Sequence, residues 1–211
     1  KFYDGPVDCQ LAYSLNGWHF QRGLRDPLIP NGEPGDPDHG STYPCSVVTQ
    51  EDGSLWIYAS ASIHEHGHVS PNSGSIITYS LRRDGWVYLE SAGGAGIVGT
   101  RALYWRGGEV ELNVQSQGGV ARAQVTDLVG VPLEGYALAD CAPFTGDSTD
   151  WAPTWASGKT LSALAGKTIR IDIELNNARL YALRGDMLPI VAGEAARYHE
   201  DGVIPQPRPG F

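Results

Sequence analysis

The sequence predicts an all-β protein, and three observations carry the prediction. Glycine (27) and proline (14) punctuate short runs rich in Val, Ile, Thr, Tyr and Trp, the pattern of many strands joined by tight turns. Turn-forming Asn-Gly and Asp-Gly pairs recur between such runs. Several later segments alternate polar and apolar residues with period two, as strands with one buried and one wet face do.

Taken in order, three hairpins are expected in the first ninety or so residues. Leu11–Ser14 and Trp18–Gln21 flank Asn16-Gly17, residues that tolerate the positive φ of a type I′ turn. Ser46–Thr49 and Leu55–Tyr58 flank Glu51-Asp52-Gly53, and Ile76–Tyr79 and Trp86–Leu89 flank Asp84-Gly85. Between the first two lies Asp26 to Tyr43, rich in Pro, Gly and Asp and longer than a simple connection needs. Further on, Glu109–Val114 and Val120–Val125 alternate around a Gly118-Gly119 reversal. Thr168–Leu175 alternates without a break and leads through Asn176-Asn177 into Ala178–Leu183. Leu161–Gly166 suits one helical turn, Glu194–His199 a short helix, and Pro205, Pro207 and Pro209 an extended arm.

Composition narrows the partners. The net charge is −9, from 24 acidic and 15 basic residues, and the lysines are Lys1, Lys159 and Lys167. A phosphate backbone or an anionic bilayer demands clustered cations, so neither nucleic acid nor membrane is expected as a partner. A neutral partner such as a carbohydrate is compatible. No apolar run approaches membrane-spanning length, so a soluble protein is expected, secreted or cytoplasmic. The opening Lys1-Phe2-Tyr3-Asp4 is that expected of a processed or excised segment. No Gly-x-Ser-x-Gly elbow, phosphate-binding glycine loop or His-Glu-x-x-His motif is present. Cys9, Cys45 and Cys141 are too few for a disulfide framework; Cys9 and Cys45 either pair across neighbouring strands or remain buried thiols.

Four constellations are candidate sites. His64-Glu65-His66-Gly67-His68, if extended, sets three imidazoles on one side, which suits a metal or else a solvated loop. In Asp26–Tyr43, Glu33 and His39 suit acid/base work if burial tunes them, with Tyr43 beside them; turn formation is the alternative. Among the tryptophans, Trp56 and Trp86 read as core residues, whereas Trp151 and Trp155, in an expected loop, suit stacking against a sugar ring. Asp140, Asp147 and Asp150, with Ser148, suit either calcium or Asx turns.

A family resemblance runs through most of the chain. Asp84-Gly85-Trp86-Val87, Gly107–Asn113, Asp140-Cys141-Ala142-Pro143, Gly146-Asp147-Ser148, Leu161–Lys167 and Ala178–Leu183 resemble the carboxyl-terminal sandwich of bacterial proteins similar to glycoside hydrolase family 32. Asp8–Tyr13, Asn16–Phe20, Pro27–Pro30, Gly32–Gly35, Gly40–Pro44, Leu55–Tyr58 and His66-Gly67 resemble the last blades of the five-bladed β-propeller that precedes that sandwich. The resemblance implies the last blades of a propeller over 1–92, an antiparallel β-sandwich over 93–185 and a tail over 186–211. It implies a carbohydrate-active protein in which this chain supplies substrate-binding loops, His66 among their residues, and a stabilising sandwich. The family's catalytic carboxylates lie largely on the early blades, so no catalytic residue carries over to this chain. A missing propeller segment or a second subunit is then expected to cover the open strand edges. Ser14-Leu15-Asn16-Gly17 resembles the aspartate box of sialidase propellers, which shapes a turn. The alternatives are a non-catalytic carbohydrate- or partner-binding β-protein and a structural assembly subunit.

Overall fold

The computed structural model describes residues 5–68, 70, 73–116 and 118–190. Its sheets are antiparallel, and no α-helix occurs among the described residues. Nor is any described helix long and apolar enough to cross a membrane. The chain divides into two compact units between Trp86 and Val87, a few residues ahead of the boundary expected at 92.

Unit 1 opens with a short ladder, β1 (Ala12–Tyr13) against β2 (Gln21–Arg22). The reversal between them is longer than a two-residue turn because side chains build it. Asn16 Oδ1 accepts the Trp18 and His19 N–H groups, both at 2.9 Å, and Ser14 Oγ accepts the Gly17 N–H at 2.9 Å. Local side-chain bonds of this kind compete with ladder pairing, so the returning strand starts at Gln21 rather than Trp18. The main sheet of the unit is β3 (Ser41–Thr49), β4 (Leu55–Ser62) and β5 (Gly74–Leu81), with β4 central. The β3–β4 hairpin closes Thr49 against Leu55 around Glu51-Asp52-Gly53, as the turn residues predict.

The third expected hairpin does not form. Gly85 N–H bonds back to the Arg82 carbonyl at 2.9 Å, and the next strand, β6 (Leu89–Gly99), leaves β5 and pairs in the other unit. Asp84-Gly85 makes a turn, but the turn ends a unit.

Unit 2 contains β6, β7 (Leu103–Gln115), β8 (Val120–Thr126), β9 (Asp147–Trp151) and β10 (Lys167–Pro189) in one hydrogen-bonded sheet. β10 organises it. Residues 167–169 pair with β7, residues 170–176 with β8 and residues 179–189 with β7 again, while β6 runs beside residues 172–180. The change from β8 back to β7 falls at Asn177, whose φ is +47° and whose Oδ1 accepts the Gly93 N–H at 3.0 Å. Period-two alternation then does what it predicts. Val110, Leu112 and Val114 of β7, Ala121, Ala123 and Val125 of β8, and Ile169, Ile171, Ile173 and Leu175 of β10 form one core around Trp105. β7 and β8 reverse at Gly118-Gly119 but do not pair with each other; each pairs with β10. The 3-10 turn Leu161–Leu164 stands where a helical turn is expected and buries Leu161 and Leu164. β10 runs on to Pro189, so residues 186–189 belong to the sheet and not to a tail. The expected helix Glu194–His199 and the arm with Pro205, Pro207 and Pro209 lie outside the described residues.

Candidate functional site

The expected site residues of the first unit collect at one end of the β3–β4–β5 sheet. Two loops meet there, the segment before β3 and the segment after β4. Ser41 Oγ donates to the His64 carbonyl at 3.0 Å, and Gly40 N–H donates to the Ser62 carbonyl at 3.0 Å. Contact at Gly40 is so close that a Cβ there would lie 2.1 Å from the His64 carbonyl carbon; only glycine lets the backbones approach this far. Gly5 bridges His66, and Val7 bridges Ser41, which ties the first described residues to both loops.

The buried polar centre of this end is Asp38, which the sequence reading did not single out. Asp38 is 7% exposed, and its Oδ2 accepts the Tyr79 hydroxyl at 2.6 Å. Thr42, itself buried, lies 3.3 Å from the same phenolic oxygen. Tyr79 has one proton and spends it on Asp38, so Thr42 is the donor in that second bond. Burial, then the hydrogen bond to Asp38, pushes the Tyr79 pKa up. The nearby Cys9 thiol pKa is also pushed up, by burial and then by Asp8. The one advance signal for Asp38 was its place in a loop too long for a connection.

The residues expected to do acid/base work are placed differently. Glu33 and His39 are both exposed, so the burial on which that role depends is absent. His39 Nδ1–H donates to the Gly32 carbonyl at 3.0 Å, and the Glu33 N–H is capped by Asp36 Oδ2 at 2.9 Å. These are turn contacts. Tyr43 is 41% exposed on the sheet, the rings of His64 and His68 lie 4.1 Å apart and tilted by 37°, and His66 is exposed. The site thus sets the exposed Glu33, His39, Tyr43 and His66 and the half-buried His64 around the buried Asp38 and Thr42 and the half-buried Tyr79.

Unit 2 redistributes the expected aromatic and acidic sites. Trp155 is not an exposed stacking ring: it is 5% exposed, its indole N–H donates to the Ala123 carbonyl at 3.1 Å, and its ring meets Tyr136 edge-on. Trp151 ends β9, and Phe144 stacks on it at 4.9 Å, so one face of its ring is already covered. Trp56, expected in the core, is 42% exposed, whereas Trp105 is fully buried. Asp147 accepts Gln115 Nε2 at 3.1 Å across the β7–β9 pair, and Ser148 Oγ donates to Asp150 Oδ1 at 2.9 Å and accepts the Asp150 N–H at 3.1 Å, so these residues belong to a strand and not to an Asx turn. Asp140 lies in a short 3-10 turn, Leu138–Asp140. Among the described residues no three His, Cys, Asp or Glu side chains are grouped closely enough to hold a metal ion. Cys9, Cys45 and Cys141 are all free thiols; Cys45 is exposed and donates to the Tyr58 carbonyl.

No protein-family model, no curated protein and no solved structure matches the chain.

Proposed function

We propose that the chain is the distal portion of a carbohydrate-active protein similar to glycoside hydrolase family 32. On this reading unit 1 is the last part of a β-propeller, and unit 2 is the sandwich that stabilises it. The loops at Asp26–Tyr43 and His64–His68 contribute substrate contacts, with Glu33, His39, Tyr43, His64 and His66 facing the ligand. The principal carboxylates come from the missing propeller segment.

One observation carries the reading. Register places Val48 opposite Trp56, and Ser60 opposite Ile76 and Tyr43, on one face of the β3–β4–β5 sheet. Val48, Trp56, Tyr43 and Ile76 are exposed there at 44%, 42%, 41% and 86%. A sheet face of this composition is suited to packing on another sheet, as each blade of a propeller packs on the next. Further blades of the same protein fit that face.

Native mass spectrometry of material from the natural source, beside its denatured mass, tests the reading. A propeller-sized polypeptide travelling with the chain is the expected result. A lone 22.7 kDa species, single or self-associated, overturns the hydrolase reading. A second reading, a carbohydrate-binding protein without turnover, is favoured by Asp38 being the one buried carboxylate among the described residues, because glycoside hydrolysis needs a pair.

A further inference from the structure

At the opposite end of the β3–β4–β5 sheet a cavity of about 550 Å³ opens between two turns. The β3–β4 turn lines it with Gln50, Glu51 and Asp52, and the turn after β5 with Arg83, Asp84 and Trp86. The two turns are fitted to each other. Gly53 has a φ of +81°, and a Cβ there would lie 2.9 Å from Arg83 Cδ, so the arginine stem crosses the turn where only glycine leaves room. Asp84 holds a φ of +54°, the left-handed turn conformation that Asp tolerates better than most non-glycine residues. The Ser54 hydroxyl, and then the Ser54 N–H that donates to Asp52 Oδ1 at 2.9 Å, hold the Asp52 carboxyl below the usual range. Trp86, half-buried, and Leu55 supply apolar wall to a hollow whose remaining side chains are polar.

We propose that this cavity binds one unit of a neutral saccharide, with Trp86 as the stacking wall and Gln50, Glu51, Asp52 and Arg83 as hydroxyl partners. The chemistry selects the class. Sugar hydroxyls donate and accept at once, and an amide, carboxylates and a guanidinium around one indole offer both roles. An apolar ligand would strip water from these groups without replacing their hydrogen bonds. Three carboxylates against one guanidinium repel uronic or phosphorylated sugars. The proposal rests on the carbohydrate reading above, and it assigns a subsite remote in the sheet from the Asp38 loops.

Isothermal titration of the full chain with neutral hexasaccharides of glucose, mannose, xylose and fructose, and with oligogalacturonate, tests it. At least one neutral chain should bind, with little dependence on salt, and oligogalacturonate should bind at least about tenfold more weakly. Trp86→Ala should weaken the neutral ligand at least about tenfold. Glu51→Ala, on an exposed turn where folding is not at stake, should weaken it about threefold or more. If a neutral sugar binds and both variants keep wild-type affinity, this cavity is not the site, while the carbohydrate reading stands. If no neutral sugar binds the wild-type chain, both fall. If the variants lose binding but the natural material is a lone chain, the subsite stands and the hydrolase reading fails.

Discussion

The two units use the same kind of strand to different ends. In unit 2 the alternating strands converge on one interior, and the residues facing it are almost wholly buried, from Trp105 and Leu112 at 0% to Leu180 at 7%. Unit 1 buries Ile29, Ile57, Ala59 and Ala61 and leaves Val48, Trp56 and Ile76 in water. Small side chains at positions 59 and 61 give little apolar area, and each buried methylene contributes only about 0.8 kcal/mol. Stability in unit 1 leans instead on polar pinning, through Asp38, Tyr79, Thr42 and the backbone bonds between its loops. The contrast teaches that a β-sheet and a self-sufficient core are separate achievements.

The sharpest way to break that comparison is to exchange tryptophan for alanine in each unit. Trp105→Ala removes a fully buried indole whose N–H also donates to the Gly108 carbonyl at 3.2 Å. It should cost about 3–5 kcal/mol in denaturant unfolding. Trp56→Ala removes a ring that is 42% exposed and touches Tyr58 edge-on. It should shift stability of the chain alone by no more than about 0.5–1 kcal/mol. Equal losses would mean that the exposed face of unit 1 is covered in solution.

How much of this was legible in the sequence follows from what each strand is made of. Strands that alternate, such as Thr168–Leu175, declared both their conformation and their buried face, because period two leaves one side apolar. β6 did not declare itself. Its Ser-Ala-Gly-Gly-Ala-Gly core has no alternation and little strand propensity, and it is a strand because β10 offers it a ladder. β9, Asp-Ser-Thr-Asp-Trp, reads as an acidic loop for the same reason and is held by pairing with β7 alone. The third hairpin failed because turn chemistry is local, while the choice of strand partner is not. Trp56 and Trp155 exchanged their expected places because a tryptophan in a strand pattern has a face, and sequence does not say whether anything packs on it. Within the candidate site the loops were legible from length and composition. Asp38 was not, since its partner Tyr79 lies 41 residues away.

Tyr79→Phe tests the polar pinning of unit 1. It leaves the buried Asp38 carboxylate without its 2.6 Å donor, which should cost about 1–3 kcal/mol. Alkali should act on the same contact. Burial and Asp38 raise the phenol pKa above the ordinary 10.0 in the folded state. The stabilisation is therefore complete below pH 10 and is lost as pH rises through the folded value, because the unfolded chain ionises first. Hydrogen exchange followed on peptides from β3 to β5 should show protection falling above pH 10, and the Phe variant should abolish that fall. Tyr136 in unit 2 is also raised, by burial and then by Glu109, so unit 2 peptides should keep their own alkaline loss in the variant. Loss of alkaline sensitivity in both units at once would show that the Tyr79 contact is not confined to unit 1.

A small effect of another kind belongs to Glu109, which links β7 to the 3-10 turn of unit 2. Its carboxylate accepts the Leu161 and Ser162 N–H groups at 3.0 and 3.1 Å and the Ser162 hydroxyl at 2.7 Å. Burial alone would raise its pKa, but the bonds from the Ser162 hydroxyl and the two N–H groups outweigh it and lower the pKa below 4.5. A depressed carboxyl stabilises the fold above its unfolded pKa and ceases to do so as pH falls through the folded one. The side chain borders solvent, which screens the contribution. Glu109→Gln should accordingly cost no more than about 1 kcal/mol at neutral pH, the scale of a lost helix cap. It should also flatten the acid limb of unit 2 below pH 4.5, read as urea midpoints against pH. In unit 1 the same substitution should change nothing, because the core around Leu161 and Leu164 that it supports is entirely unit 2's own. A unit 1 that softened with it would mean that the two units do not unfold as separate bodies.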